Sequence, residues 1–297
     1  MAQLTRALAP FAPAPVPPGA TLLPAFVAAP AVDRVYCCDW MDLLRALPAQ
    51  SVDLMLTDMP YGITACEWDH VVDLALWWEL VKRVVKPRAA VVCTASQPFT
   101  SRLVMSNLAW FRYEWIWRKN RGTNFLNTKS APMKEHENIL VWSEKMPRYF
   151  PVNIPRSEKG IARASGKYNL YQGKKREAYS GFRDAYRNQP NPLERIPSSV
   201  LSFNDEHGIH PAQKPVALFE YLIRTYTAPG DLVVDPFVGS GTTALAAAKC
   251  GRDFIVGDNS PAYVEIARNR LAYHGDDARM VSEAAAGVRQ MALMDVA

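Results

Sequence analysis

Ser51-Val52-Asp53-Leu54-Met55-Leu56-Thr57-Asp58-Met59-Pro60-Tyr61-Gly62 is an apolar run of strand length closed by an acid, a proline and an aromatic. A run of this kind ending in a turn reads as a buried strand that delivers side chains to the edge of a sheet. In an open α/β sheet, ligands sit in the crevice beyond the carboxyl ends of the strands, which places Asp58 and Tyr61 for chemistry. Taken alone, the stretch reads first as a strand followed by an ordinary Asp-x-Pro turn. Weight for a functional reading comes from a second motif far downstream, Asp235-Pro236-Phe237-Val238-Gly239-Ser240-Gly241-Thr242-Thr243.

Working outward, Arg34 to Asp39 is a short strand ending in an acid, and Met41 to Leu47 is a brief helix. After a polar loop, Leu74, Leu76, Trp77, Leu80, Val81, Val84 and Val85 mark an amphipathic helix that Pro87 stops. Ala89 to Thr94 is a buried strand, and Pro98 opens the next helix. Phe111 to Trp117 and Asn138 to Trp142 read as strands flanking a loop, Arg118 to Glu137. Residues 143–200 have little periodicity and read as an inserted module of irregular structure. Alternation resumes with a helix, Val216 to Tyr226, then a strand, Leu232 to Phe237, running into the glycine loop. An alanine-rich helix ended by Gly251, a strand from Phe254 ending at Asp258, and a helix opened by Ser260-Pro261 complete the pattern. Strands alternating with helices mean an α/β fold with a mostly parallel sheet.

Composition narrows the class. With 297 residues, 49% hydrophobic and 21% charged, the chain has room for one large domain with an insertion or for two smaller ones. Five cysteines, scattered and without a Cys-x-x-Cys pair, suggest neither a disulfide framework nor a zinc site, and the expectation is a reduced, cytoplasmic protein. The N-terminal apolar stretch is short and carries Pro24 and Pro30, so neither a membrane span nor a secretion signal is expected. Residues 1–30 hold seven prolines and read as an extended arm, and residues 275–297 as a polar, alanine-rich tail.

The charge is unevenly spread. Residues 112–200 carry 18 Lys plus Arg against 8 Asp plus Glu, or +10, which leaves −5 for the remainder of a chain of net +5, and these charges are interleaved with aromatic residues. That is the footprint of a surface that binds a polyanion, the plainer alternative being a solvated basic face.

The downstream motif sits where a strand turns into a helix, the context in which a glycine loop is meaningful. Gly239 and Gly241 allow positive φ and close backbone approach, and Asp258 ends the next strand at the spacing of an acid that receives ribose hydroxyls. Gly-Ser-Gly-Thr-Thr lacks the lysine of a nucleotide phosphate loop, and Ala244 stands where a dinucleotide fingerprint wants its third glycine. An acid at Asp235 would repel a pyrophosphate but suits an ammonium and a sulfonium. S-adenosylmethionine fits, with its amino-acid end at the loop, its ribose at Asp258 and its adenine near Asp39 and Trp40, and with Asn259 also among the cofactor-binding residues.

With these pieces in order, the chain resembles the β-class DNA amino-methyltransferases. The resemblance rests on Cys38-Asp39, Ser51 to Gly62, the region Arg118 to Trp142 with His136-Glu137, His210-Pro211-Ala212-Gln213-Lys214-Pro215, Asp235 to Thr243 and Phe254 to Leu271. It implies a Rossmann-like, mostly parallel sheet of seven strands, one antiparallel, with helices on both faces. The implied units are a catalytic half over 31–117, a basic target-recognition insert over 118–200 and a cofactor half over 201–274. It further implies double-stranded DNA as partner, a nucleoid-associated location, a homodimer as the family often forms, and no metal. Asp58, Pro60 and Tyr61 match the family's Asp-Pro-Pro-Tyr signature, with Met59 as a departure, and Asp58 leans toward adenine N6 over cytosine N4.

The chemistry then has named parts. Asp58 and the backbone carbonyl of Met59 or Pro60 would accept the two hydrogens of an exocyclic amine, and Tyr61 would stack on a base flipped out of the duplex. Lys119, Arg121, Lys129, Lys134 and His136 would hold the nucleic acid, and Lys214 would orient the amino-acid end of the cofactor. His136 and His210 read more readily as structural histidines than as bases, because transfer from a sulfonium needs none.

Overall fold

The computed structural model describes residues 28–62, 72–125, 128–162, 193–206 and 213–273. Nearly all of the expected N-terminal arm, the C-terminal tail, most of the irregular insert and His210 lie outside these residues.

Among the described residues, ten strands and seven helices follow one another: β1 (Arg34–Cys37), α1 (Trp40–Ala46), β2 (Val52–Thr57), α2 (Leu74–Val84), β3 (Val85–Ala95), α3 (Phe99–Ser106), β4 (Phe111–Thr123), β5 (Lys134–Trp142), β6 (Ile154–Pro155), α4 (Glu158–Ala162), β7 (Glu194–Arg195), β8 (Val200–Ser202), α5 (Val216–Tyr226), β9 (Leu232–Asp235), α6 (Thr242–Lys249), β10 (Asp253–Asp258) and α7 (Pro261–Ala272). Eight strands form one sheet in the order β1-β10-β9-β2-β3-β5-β4-β8, and β6 and β7 make a separate two-stranded ribbon. Within the large sheet β5 alone runs antiparallel to its neighbours β3 and β4. The expected seven strands are there, and the eighth is the three-residue edge strand β8, paired parallel to β4 at the end of the insert.

The helices cover both faces because the strands are apolar on both. Every residue of β2 is buried, the signature of a strand sandwiched between two layers. Leu54 and Leu56 join the core beneath α5, α6 and α7, with Val216, Leu245 and Val264. Met55 joins the opposite core beneath α1, α2 and α3, with Leu43, Trp77 and Phe99. The same split recurs in β5, where Ile139 and Val141 face one layer and Leu140 and Trp142 the other. Each such aliphatic side chain contributes about 1.5–3 kcal/mol by leaving water, so a one-residue slip of register would be strongly disfavoured.

Two local expectations are corrected. Pro87 does not merely stop α2: the helix ends at Val84 and β3 begins at Val85, running through the proline. The ladder tolerates it because the register against β2 jumps from Val52↔Val85 to Leu54↔Ala90, leaving Lys86, Pro87 and Arg88 in an irregular step. The expected loop Arg118 to Glu137 is mostly strand, for β4 continues to Thr123 and β5 starts at Lys134. Its residues are polar and leave no apolar alternation to read, yet the ladder holds through Trp117↔Glu137, Arg118↔His136 and, after an irregular step, Thr123↔Lys134. The strands approach closely there: a Cβ on Gly122 would stand 2.9 Å from Met133 Cβ.

Candidate active site

Four adjacent parallel strands, β1, β10, β9 and β2, open at their carboxyl ends onto one crevice, and each ends in an acid or runs directly toward one: Asp39, Asp258, Asp235 and Asp58. Four carboxylates in a row are costly unless each finds donors, and each does. Asp39 caps α1, accepting from the Met41 amide at 2.7 Å. Asp258 accepts the Gly239 amide on Oδ2 and the Ser260 amide on Oδ1, both at 2.9 Å. Asp235 accepts from Thr57 at 2.7 Å, the Phe237 amide at 3.0 Å and the Thr243 hydroxyl. Burial pushes the Asp235 carboxyl up to about 7, against the pull of these hydrogen bonds.

The loop after β9 is built on glycines where glycine is required. Gly239 and Gly241 have φ of +51° and +88°, a region costly for residues with a side chain. A Cβ on Gly241 would lie 2.8 Å from Ala267 Cβ, so the loop also packs directly on α7. Behind it, the buried Arg270 donates to Ser240 O at 3.3 Å and to Thr242 Oγ1 at 3.1 Å, and pairs with Glu206 at 3.6 Å. Glu206 in turn accepts the Val216 amide at 2.9 Å and the Gln213 side chain at 3.2 Å. This brace fixes the segment carrying Lys214 to the glycine loop, and Thr242 Oγ1 donates to Lys214 O at 3.3 Å. Pro236 follows Asp235 in the turn. Beside the loop, Trp40 lies 6.0 Å from Phe237 and 5.8 Å from Trp77, and Phe237 lies 5.9 Å from Trp77. Trp40 and Phe237 are half-buried, giving an aromatic wall between the ends of β1 and β9. Asn259 is exposed at the rim.

Asp58, like Asp235, has three donors, and one of them is a charged ammonium. Oδ1 accepts from Tyr61 OH at 2.5 Å and from the Thr94 hydroxyl, while Oδ2 accepts from Lys214 Nζ at 2.6 Å. Burial and the neighbouring Asp58 carboxylate hold the Tyr61 phenol well above its ordinary range, so it is a donor. The Tyr61 ring stacks on Phe99 at 5.4 Å, and Lys214 Nζ stands 5.7 Å from its centroid. Met59 is only 1% exposed and anchors the turn in the core beneath α1 and α2, which gives the unexpected side chain a packing role. Lys214, expected to orient the amino-acid end of a cofactor, is shared between Asp58 and Glu137, at 2.6 and 3.5 Å. Its buried ammonium, which burial alone would weaken, is raised above its ordinary range by those two carboxylates.

The expected nucleic-acid residues divide. Lys119 Nζ pairs with Glu137 at 2.6 Å and lies 4.8 Å over the Trp117 ring, so it belongs to the charged chain leading to Asp58. Arg121, Lys129 and His136 are exposed along the β4–β5 hairpin. Lys134 is half-buried there, and burial lowers its ammonium below the ordinary value. Sequence reasoning gave no site role to Thr94, Phe99, Glu206 and Arg270, and quoted Glu137 only as part of the family pattern. Thr94 and Glu137 reach the site through the sheet order on β3 and β5, Phe99 and Arg270 come from α3 and α7, and Glu206 from the segment after β8. Among the described residues no group of three or more His, Cys, Asp or Glu is arranged to hold a metal ion.

The comparisons with known proteins agree on one family. A family model described as DNA methylase, of the N6/N4 type, matches residues 52–269. The chain is 30% identical over 274 residues to the type II methyltransferase M.BglII from Bacillus subtilis, covering 83% of this chain and 71% of that protein. The solved structure of M1.HpyAVI in complex with SAM is 25% identical, covers 80% of this chain and 99% of its own, and superposes with a TM-score of 0.54. The cytosine-N4-specific PvuII DNA methyltransferase, at 18% identity, shares the fold with a TM-score of 0.58 over 88% of this chain and 95% of its own. With a sheet whose strand ends gather a glycine loop and an Asp-x-Pro-Tyr turn, and a family match spanning most of its length, the chain belongs to the DNA methylases, the N6/N4 family of DNA methyltransferases.

Proposed function

We propose that the protein is a site-specific DNA methyltransferase that moves a methyl group from S-adenosylmethionine to the N6 amino group of an adenine turned out of the duplex. The observation that carries this reading is lateral: Asp58 directly follows β2, the glycine loop follows β9, and Thr57 Oγ1 bonds Asp235 Oδ1 at 2.7 Å across these neighbouring strands. An acceptor for amine hydrogens and a loop for the methyl donor therefore open on the same crevice.

The residues present fit that donor. Trp40 and Phe237 offer half-buried aromatic surface to a purine, with Asp39 beside them. Asp258 spends one lone pair of each oxygen on backbone amides and keeps one on each for a hydroxyl. Gly239, Ser240, Gly241, Thr242 and Thr243 bring backbone close at the start of α6, with Asp235 and Pro236 setting the turn and Asn259 at the rim. Bound there, S-adenosylmethionine supplies an electrophilic methyl group on a sulfonium.

The chain's own residues deal with the amine. Its lone pair is delocalised into the ring, so as nitrogen becomes tetrahedral its two hydrogens need acceptors. Asp58 Oδ2 takes one and the backbone carbonyl of Met59 or Pro60 the other, which aims the lone pair for in-line attack. Tyr61 and Thr94 fix the carboxylate through Oδ1, and the Tyr61–Phe99 stack gives the base an aromatic surface to lie against. The proton released by the methylated nitrogen passes to the Asp58 carboxylate. Extruding a base costs a few kcal/mol, offset by phosphate contacts from Arg121, Lys129 and Lys134 on the hairpin, with His136 beside them.

The test is nucleoside mass spectrometry of duplex DNA treated with the protein and S-adenosylmethionine. N6-methyldeoxyadenosine is expected, and Asp58→Ala should lower its formation by about 100-fold or more with DNA binding retained. N4-methyldeoxycytidine in its place would overturn the adenine assignment, and wild-type turnover by Asp58→Ala would overturn the role of Asp58.

A further inference from the structure

Methyl transfer to an amine needs an acceptor, yet the site holds four ionised side chains in line. Lys119 Nζ is 2.6 Å from Glu137 Oε1, Glu137 Oε2 is 3.5 Å from Lys214 Nζ, and Lys214 Nζ is 2.6 Å from Asp58 Oδ2. Their side chains are 12%, 12%, 7% and 20% exposed in that order, Lys119 to Asp58. Removing each ion from water is unfavourable, and the pairing along the row offsets it.

The two carboxylates that share Lys214 are not equivalent. Asp58 Oδ1 already accepts two hydroxyls, so the oxygen with room for a substrate amine is Oδ2, the one Lys214 holds. Glu137 Oε2 is buried, and its charged neighbour Lys214 Nζ, at 3.5 Å, stands too far off to complete a good hydrogen bond to it. Burial works against the Glu137 carboxylate, but Lys214 and Lys119 overcome it and hold its pKa below the ordinary value. Lys214 therefore has a second, ionised and unfilled acceptor within an ångström of bonding distance. Its flexible four-carbon stem permits so short a move.

We propose that Glu137 is a positioning residue that receives Lys214 when the substrate amine claims Asp58 Oδ2. The ammonium shifts toward Glu137 Oε2 and closes the 3.5 Å gap to a hydrogen bond. Asp58 is then released as a stronger acceptor only when a base is in place. Lys119, bonded to Oε1, anchors Glu137 and leaves Oε2 as the landing point. The inference rests on the methyltransferase reading above, since it assigns the amine to Asp58. A static alternative exists, in which Glu137 only neutralises two buried lysines.

A double-mutant cycle distinguishes them: single-turnover methyl transfer, with dissociation constants for DNA and S-adenosylmethionine, for wild type, Glu137→Gln, Lys214→Met and the double variant. Glu137→Gln should slow transfer about 10-fold while both dissociation constants stay within about 2-fold, and should change little in the Lys214→Met background. An equal loss in both backgrounds, or a loss confined to binding, would overturn the proposal. Wild-type protein gives a second measurement independent of how the variants fold. With 15N-labelled lysine side chains, the Lys214 ammonium resonance should move when DNA binds, and should stay put when the target base lacks its exocyclic amine. The same resonance with both DNAs would sink the exchange. Failure of wild type to methylate any DNA would instead remove the methyltransferase reading itself.

Discussion

At the scale of single residues, the loop after β9 is the most exacting part of the chain. Gly241→Ala must place a side chain at φ +88° and 2.8 Å from Ala267 Cβ. Thermal denaturation should show a loss of about 1–3 kcal/mol, and calorimetry a weaker S-adenosylmethionine affinity. Asp235 carries a pH signature. Its folded pKa, near 7, lies above the ordinary carboxylate value of 3.8 because it is buried. Between those values the folded state binds the proton more tightly than the unfolded chain does, so this group's contribution to stability falls as pH rises and levels off above about 7. Asp235→Asn, which cannot titrate, should flatten that part of the melting-temperature profile. An unchanged slope between pH 4 and 7 would assign the dependence elsewhere. The acids at strand ends were legible in the chain because each closes an apolar run. What each of them holds was not: Asp58 meets Thr94 and Lys214 across 36 and 156 residues, distances over which no local pattern extends.

At the scale of elements, the β4–β5 hairpin was the least legible part. Its outer half is polar on both strands, so only its apolar inner half, through Trp117 and from Asn138, announced itself. Strand character there comes from cross-strand pairing, which composition does not encode. The hairpin also separates two kinds of cation. Lys119 is turned into the charged chain that reaches Asp58, whereas Arg121 and Lys129 face solvent. The double variant Arg121→Ala/Lys129→Ala should weaken binding to all DNA sequences alike. It should also reduce the slope of log affinity against log salt by about one per lost phosphate contact. Anisotropy titrations across a salt series read both, and the melting temperature should hold because both side chains are exposed.

At the scale of the whole molecule, the fold class was legible because β2, β3 and β9 are apolar in strand-length runs and the helices between them carry one-sided faces. The strand order was not, since nothing along the chain says that β9 and β10 enter between β1 and β2. That insertion has its own result. The Asp58 turn and the glycine loop are joined sideways, by the ladder between β2 and β9 and by the Thr57–Asp235 hydrogen bond, which spans 178 positions. Which half is synthesised first is therefore irrelevant to the finished geometry. Moving the termini to a surface loop and joining the old ends by a linker of adequate length would leave every contact in the crevice as it stands, a freedom that a site assembled from sequence neighbours does not have.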